Sequence, residues 1–202
     1  MSIYIKGPFN SGTNLLFQIL QDEFPSCDQD RKHFFTTDEL GEIASKHKVI
    51  FLYKKMENWI VSIRKEHYDI QFLTNRRVRL HDIEYKNIIE LYNAYYQTYK
   101  HFLELYPDNV IFIDYYKLID PVNGYSYLNE RLKKWDMTLH DQGHFYECLS
   151  KPSKTHGRPV HTNIEAIKKK ESNVSKIKEE IQKTPIFLNS YNDSLYSYFE
   201  NN

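Results

Sequence analysis

The sequence predicts an α/β fold, a three-layer sandwich in which helices cover both faces of a central parallel β-sheet. Short runs of β-branched and aromatic residues, each bounded by polar residues, predict strands at 3–6, 49–53 and 110–113. Segments with helical periodicity lie between these runs. Strands that alternate with helices are joined by crossover connections, which make neighbouring strands parallel and place helices against the sheet.

The predicted helices are recognised by apolar residues that recur every three or four positions. The helix after the first strand has an apolar face made of Leu15, Leu16, Ile19 and Leu20. The helix after the second strand has one made of Trp59, Ile60 and Ile63. The longest pattern, over 88–106, is rich in tyrosine and should end at Pro107, because proline lacks the amide donor. We expect its tyrosines to pack in the core.

A chain of 202 residues predicts a single domain, residues 1–202. Its core is expected at about 3–160, followed by a helical extension at about 161–202. Within the extension, the charged segment 163–183 predicts a solvated helix, and 190–200 predicts a second, tyrosine-rich one. The segment 142–161 combines Gly, Pro, His and Lys with little periodicity, and it is predicted to be a long loop.

Composition restricts the classes of function. The chain has 27 basic and 27 acidic residues, so a general attraction to nucleic acid or to a membrane surface is not indicated, and any anion site must be built locally. There is no apolar run of about 18 residues, which predicts that no segment spans a membrane. The two cysteines are too few for a disulfide framework, and we therefore expect a cytoplasmic protein.

Histidines are frequent in the later part of the chain, but they do not predict a metal site. His140, His144, His156 and His161 match no strong ligand spacing, and no cysteine is suitably placed to complete a set. No metal is expected.

The stretch GPFNSGTNLL, residues 7–16, has the composition of a phosphate-binding loop between a strand and a helix. Gly7 and Gly12 permit backbone conformations that a Cβ would block. The amides at the start of the following helix, aided by its dipole, can bind an anion, and Ser11, Thr13 and Asn14 add short polar side chains. An ATP-binding loop would continue with Lys and Ser/Thr after its second glycine, and this loop does not.

The octapeptide FNSGTNLL resembles the 5′-phosphosulfate-binding loop of the sulfotransferase family, whose members use 3′-phosphoadenosine 5′-phosphosulfate (PAPS). The resemblance covers about residues 3–160 and implies a P-loop NTPase-like fold. The stretch VIFLYKKMENWIVSIRK resembles the segment with which this family binds the 3′-phosphate. There a basic residue ends a strand and a serine follows eight positions later, as do Lys54 and Ser62. The family usually has arginine at the first position, and lysine lacks its bidentate fork.

Further stretches extend the resemblance. In DRKHFF, His33 lies 21 positions before Lys54, which is similar to the place of the family's general base, and Lys32 lies beside it. In VIFIDYYKLIDP, Tyr115 matches a family tyrosine and implies a cofactor contact. In KPSKTHGRPVH, Arg158 matches a late basic contact with the 3′-phosphate.

The chain departs from the family at Asn10, where a lysine or arginine usually helps to stabilise the bridging oxygen as sulfate leaves. Asn10 can donate a hydrogen bond but has no charge, so either Lys32 or Lys55 supplies the charge from elsewhere, or the enzyme is slow, or the chemistry differs. The catalytic residues implied are His33, Lys32 and Asn10. The cofactor-binding residues implied are Ser11, Gly12, Thr13, Asn14, Lys54, Ser62, Tyr115 and Arg158.

The resemblance implies a sulfotransferase that moves a sulfuryl group from PAPS to a hydroxyl or amine acceptor, either a small molecule or a carbohydrate. Two alternatives stay open. One is a P-loop kinase or other phosphotransferase with a degenerate loop, which would need ATP and magnesium. The other is a non-catalytic module that binds a nucleotide or a protein. The acceptor cannot be read from the sequence, and its contacts are expected in 66–82 and 138–161.

Overall fold

The structure is a computed structural model, and it describes residues 2–33, 37–65, 78–80, 83–150 and 164–201. Residues 66–77 lie outside the described residues. Most of the expected acceptor region and Arg158 lie outside them as well. The strands in chain order are β1 (Ile3–Lys6), β2 (Cys27–Asp28), β3 (Lys48–Tyr53), β4 (Val78–Leu80), β5 (Ile83–Tyr85) and β6 (Val110–Asp114).

The helices follow the same order and alternate with the strands over the first half of the chain. They are α1 (Thr13–Leu20), α2 (Thr37–Lys46), α3 (Met56–Lys65), α4 (Ile88–Leu105), α5 (Tyr115–Leu118), α6 (Gly124–Leu132), α7 (Gln142–Ser150), α8 (Ile164–Lys183), α9 (Pro185–Ser190) and α10 (Asp193–Asn201). A 3₁₀ turn at Lys133–Trp135 follows α6.

Contacts divide the chain into two compact units. The first unit comprises Met1–Tyr53 and Tyr99–Asn163, and the second comprises Lys54–Thr98 and Ile164–Asn202. Helix α4 contributes its residues up to 98 to the second unit and the remainder to the first. The single-domain organisation stays a prediction.

Four parallel strands in the order β2-β1-β3-β6 form the sheet of the first unit, among the residues that the structure describes. The pairing joins Lys6 to Phe51 and Tyr53 to Asp114. Because all the strands run the same way, the carboxyl ends of β1, β3 and β6 meet at one edge of the sheet. The loop 7–12 begins at that edge, as ligand-binding loops of parallel sheets commonly do.

Apolar side chains alternate between the two faces of this sheet. Ile5, Ile50 and Ile113 belong to a core that also contains the apolar faces of α1, α6 and α7. On the opposite face the ring of Phe51 stacks on that of Tyr99, with 4.1 Å between centroids, and α2 contacts β3. Helices thus cover both faces, and the first unit is a three-layer α/β structure as predicted.

The second unit is built around α3, the first part of α4 and the helices α8 to α10. The carboxamide oxygen of Asn87 caps α4, since it accepts hydrogen bonds from the amides of Ile89 (2.9 Å) and Glu90 (3.1 Å). Tyr92, Tyr95 and other α4 tyrosines are buried, which confirms that these side chains pack in the core. Strands β4 and β5 pair antiparallel.

The structure confirms strands at all three predicted positions, the long helix as Ile88–Leu105 and the charged helix as Ile164–Lys183. It also confirms the tyrosine-rich helix predicted over 190–200 as Asp193–Asn201, and it shows an additional short helix, Pro185–Ser190, before it.

The prediction of a loop over 142–161 is wrong for its first part, which is helix α7. Phe145, Cys148 and Leu149 form a short buried stripe, and the carboxylate of Glu23 accepts the amides of His140 and Asp141 just before the helix. The helix itself is capped locally, because the carboxylate of Asp141 accepts the amide of His144 at 2.7 Å, but its buried stripe is too short to show a clear periodicity. Residues 151–161 lie outside the described part.

The described helices include none that combines the length and the apolar character needed to cross a bilayer.

Candidate functional site

The loop between β1 and α1 has the backbone shape of an anion-binding nest. Asn10 has a φ of 59° and Gly12, the residue before α1, has a φ of 101°, so both are in the left-handed region. The amide of Ser11 donates to the carbonyl of Pro8 at 3.1 Å and closes a turn. Left-handed residues within a turn direct successive amides toward one point, where they can bind an anion.

Both glycines of this loop are required for steric reasons. A Cβ at Gly7 would lie 2.4 Å from Ser11 Oγ, and one at Gly12 would lie 2.4 Å from two carbons of the Tyr115 ring. Real Cβ atoms do not approach other atoms so closely. The loop can therefore keep this path only while both positions lack a side chain.

Ser11 brings a polar atom into the interior of the loop. Its side chain is 0% exposed, and its Oγ has no hydrogen-bond partner among the described residues. Leaving a buried hydroxyl unsatisfied costs about 1–3 kcal/mol. Together with the amides at the start of α1, this hydroxyl forms a set of donors suited to an anionic oxygen.

Lys32 brings a positive charge to the first turn of α1. Its Nζ donates to Asn14 Oδ1 and, at 3.1 Å, to Gln29 Oε1. Burial lowers the pKa of this ammonium below its ordinary value. Asn10 lacks a positive charge, and the Lys32 ammonium brings one to the same unit, on the segment that follows β2.

His33 is attached to the loop through Gly7. Its Nδ1 lies 2.8 Å from the carbonyl oxygen of Gly7, and its ring lies against that of Phe9, with 4.3 Å between centroids. A carbonyl only accepts, so Nδ1 must carry the proton. In the neutral imidazole the basic atom is then Nε2, as a general base requires.

Tyr115 forms a wall of the loop. The residue is buried, its ring packs over the Cα of Gly12, and burial raises the pKa of its phenol. This packing accounts for an aromatic residue at the end of β6, whether or not the ring also contacts a ligand.

Lys54 and Ser62 form a pair in the second unit. Lys54 is 5% exposed, its Nζ donates to Ser62 Oγ at 3.2 Å, and that hydroxyl donates to the carbonyl of Asn58 at 2.8 Å. The serine therefore contacts the Lys54 ammonium and also makes the ordinary bond to its own helix. The amide of Lys54 donates to the hydroxyl of Tyr96 at 3.2 Å, and the hydroxyl of Tyr92 donates to the carbonyl of Lys54 at 2.7 Å.

The predicted site residues of the first unit gather around one loop. They are Asn10, Ser11, Gly12, Thr13, Asn14, Lys32, His33 and Tyr115. Lys54 and Ser62 belong to the second unit, where they contact each other. Arg158 lies outside the described residues.

Sequence reasoning missed two features that support the site. Lys6 is a lysine at the end of an apolar strand, only 1% exposed, and its Nζ contacts the segment that bears His33. A charged residue in the run IYIK was the signal. Tyr92 and Tyr96 were predicted as core only, and nothing in their periodicity indicates that their hydroxyls bind Lys54.

No group of three or more His, Cys, Asp or Glu side chains that could hold a metal ion occurs in the described ranges. Comparisons of the chain with models of known protein families, with curated proteins and with solved structures found no match. The function is therefore inferred from the residues of the chain.

Proposed function

We propose that the protein is a sulfotransferase that takes a sulfuryl group from PAPS and gives it to the hydroxyl or amine of a small-molecule or carbohydrate acceptor. The observation that carries this proposal is the buried Ser11 hydroxyl inside a left-handed loop at the start of α1, a helix whose first turn also receives the Lys32 ammonium through Asn14. Such a set of donors suits a phosphate or sulfate group.

In this proposal the amides of residues 11–14 and the hydroxyls of Ser11 and Thr13 bind the 5′-phosphosulfate. Lys32 supplies the charge that Asn10 lacks. The bond from Lys32 to Asn14 supports this role, because it holds the ammonium at the first turn of α1. A fixed positive charge there favours the negative charge that develops on the departing phosphate oxygen.

Lys54 and Ser62 bind the 3′-phosphate in the proposed complex. The 3.2 Å contact between them supports this assignment, since a lysine and a hydroxyl held together form a compact site for one phosphate. The same pair would distinguish PAPS from ATP, which has no 3′-phosphate.

His33 acts as the general base. Its Nε2 takes the proton from the acceptor hydroxyl while the acceptor oxygen forms a bond to sulfur. The bond from sulfur to the bridging oxygen breaks at the same time, and the electron pair leaves with 3′,5′-adenosine bisphosphate. The Gly7 carbonyl orients the ring for this transfer through Nδ1.

One observation counts against the kinase alternative. Asp114 is the acidic residue at a strand end that could hold magnesium in a phosphotransferase. Its Oδ1 instead accepts the amides of Tyr116 (2.7 Å) and Lys117 (3.3 Å) and caps α5. These bonds give Asp114 a structural role at the start of α5, which accounts for an acidic residue at this strand end without magnesium.

Isothermal titration calorimetry with 3′,5′-adenosine bisphosphate tests the proposal. We expect magnesium-independent binding that is weakened in both Lys54→Ala and Ser11→Ala. Lys54 would hold the 3′-phosphate of the ligand, and Ser11 would hold its 5′-phosphate. AMP, which lacks the 3′-phosphate, should bind the wild type as weakly as the bisphosphate binds Lys54→Ala. Absence of bisphosphate binding, or tighter binding of Mg-ATP, would contradict the sulfotransferase assignment.

Transfer of radiolabelled sulfate from PAPS to a panel of sugars, phenols and amines then separates an enzyme from a binding module. A module would bind the bisphosphate with the same dependence on Lys54 and Ser11, yet transfer no label to any acceptor.

A further inference from the structure

We propose that Lys6 is a positioning residue that fixes the place and the tautomer of His33. The inference rests on the proposed function for its catalytic meaning, but its structural part can be tested without it. Lys6 is the last residue of β1 and is 1% exposed. It does not belong to the loop, and nothing in the resemblance to sulfotransferases assigns it a role.

Lys6 and Gly7 together bind three consecutive carbonyls of the segment after β2. The Nζ of Lys6 donates to the carbonyls of Asp30 (3.0 Å) and Arg31 (3.3 Å), and the amide of Gly7 donates to that of Lys32 (2.8 Å). The next residue is His33, whose Nδ1 returns to the carbonyl of Gly7. The position of His33 is thus fixed by Lys6, the last residue of β1, and by Gly7, the residue that follows it.

A side chain is needed here because the strand ladder has already ended. β1 and β2 pair only at Ile3 with Cys27 and at Tyr4 with Asp28. Beyond Asp28 the segment turns, and Arg31 has a φ of 45°, a left-handed conformation that is strained for a residue with a Cβ. The ammonium of Lys6 supplies the donors that hold this turn against β1.

Lysine suits this position better than a neutral residue. An ammonium has three donors and no acceptor, so it can satisfy several carbonyls that converge on one point. An apolar side chain of the same length would leave the carbonyls of Asp30 and Arg31 without this donor. The turn would then be free to leave its strained conformation, and His33 would lose its fixed distance from Gly7.

The first test is the tautomer of His33 in the intact protein, measured by long-range ¹H–¹⁵N correlation with labelled histidine and assigned with His33→Gln. The wild type should show the form with the proton on Nδ1. In Lys6→Met the signal should move toward the mixture of tautomers found in free histidine. A wild type with its proton on Nε2, or a Lys6→Met protein that keeps the wild-type tautomer, would overturn the inference.

The matched control is Lys48→Met. Lys48 also donates through Nζ to a backbone carbonyl, that of Asp108 at 2.9 Å, but it pairs with Ile3 at the other end of β1. This variant should leave the His33 signal unchanged. If Lys6→Met does not fold, the wild-type tautomer still tests the geometry, and Lys6→Arg, which keeps a cation with several donors, should retain the Nδ1–H form.

The second test separates this inference from the proposed function. If the protein is a sulfotransferase, Lys6→Met should lower kcat by about 10²-fold, as a misplaced catalytic group does, while the affinity for 3′,5′-adenosine bisphosphate changes little. Unchanged turnover would refute the positioning role even if the bisphosphate binds well. If the wild type binds no bisphosphate, the proposed function fails, and the tautomer experiment still decides the role of Lys6.

Discussion

At the scale of single residues, His33 is the side chain on which catalysis should depend most. We expect His33→Ala to reduce sulfate transfer by about 10²–10⁴-fold, because the acceptor hydroxyl would lose its general base. Binding of 3′,5′-adenosine bisphosphate should persist, since the imidazole contacts the Gly7 carbonyl and the Phe9 ring, and neither is among the groups assigned to the phosphate. Initial rates at saturating donor, with calorimetry in parallel, measure both quantities.

The control for this prediction is His101→Ala, which removes an exposed imidazole from α4. This variant should transfer sulfate at the wild-type rate. A His33→Ala protein that is equally active would remove His33 from the mechanism.

At the scale of elements, the connection from β1 to α1 depends on Gly12. We expect Gly12→Ala to destabilise the protein by more than about 1–2 kcal/mol, because the left-handed φ penalises any Cβ and the Tyr115 ring leaves no room for one. Urea unfolding measures the loss. Tyr115→Leu in the same chain should recover the steric part and leave the conformational part.

Gly41→Ala is the matched control for that loss. Gly41 lies within α2, and a Cβ there would be 3.7 Å from the Phe102 ring, an ordinary contact. Alanine is the better helix former, so this variant should be more stable than the wild type by about 0.5–1 kcal/mol. Equal effects at Gly12 and Gly41 would contradict the assigned loop geometry.

The start of α4 offers a second prediction at this scale. Asn87 is fully buried; besides capping α4 it donates through Nδ2 to the carbonyl of Ile186 (3.3 Å) and to Ser190 Oγ (2.9 Å) of α9. Asn87→Ala should cost about 0.5–2 kcal/mol for the cap alone, and more because the partners on α9 lose their donor.

Thermal unfolding compares this variant with Asn123→Ala. Asn123 precedes α6, and among the described residues its side chain makes no capping bond to that helix. Its replacement should therefore be nearly neutral. A neutral result at Asn87 as well would show that the carboxamide bonds contribute nothing measurable.

At the scale of the whole molecule, buried tyrosines should limit stability at high pH. Burial raises the pKa of Tyr95, Tyr115 and Tyr116 above the ordinary value of 10.0. As the pH rises past that value, the unfolded chain loses these protons first, so the free energy of unfolding falls. Burial lowers the pKa of Lys6 and Lys32, which acts in the opposite sense as the pH rises toward the ordinary lysine value of 10.5.

Urea midpoints measured between about pH 8 and pH 11 should therefore decline once the pH passes the ordinary tyrosine pKa. The absorbance of ionised tyrosine near 295 nm should rise in part only on unfolding. The urea midpoint of Tyr115→Phe should decline less steeply with pH than that of the wild type. A stability that stays constant through this range would contradict the burial of these phenols.

The sheet could be predicted from the sequence because its strands are short apolar runs whose residues alternate between two buried faces. The loop was recognisable from Gly7, Gly12 and Ser11, since their spacing is local. Lys6 could not be assigned in the same way, because its partners are carbonyls 24 and 25 positions away and the sequence gives no sign of them. The bonds from Glu23 to the amides of His140 and Asp141 could not be predicted for the same reason.

The two hydrogen bonds of Gly7 have a thermodynamic consequence. Its amide donates to the carbonyl of Lys32, and its carbonyl accepts from the ring of His33. The two peptide units that flank the Gly7 Cα therefore set the distance between the loop and His33. Fixing a long polar side chain costs up to about 1.5–2 kcal/mol of rotamer entropy, and glycine has no rotamers to lose. This part of the link between the loop and His33 therefore costs backbone entropy only, unlike the part that the Lys6 side chain supplies.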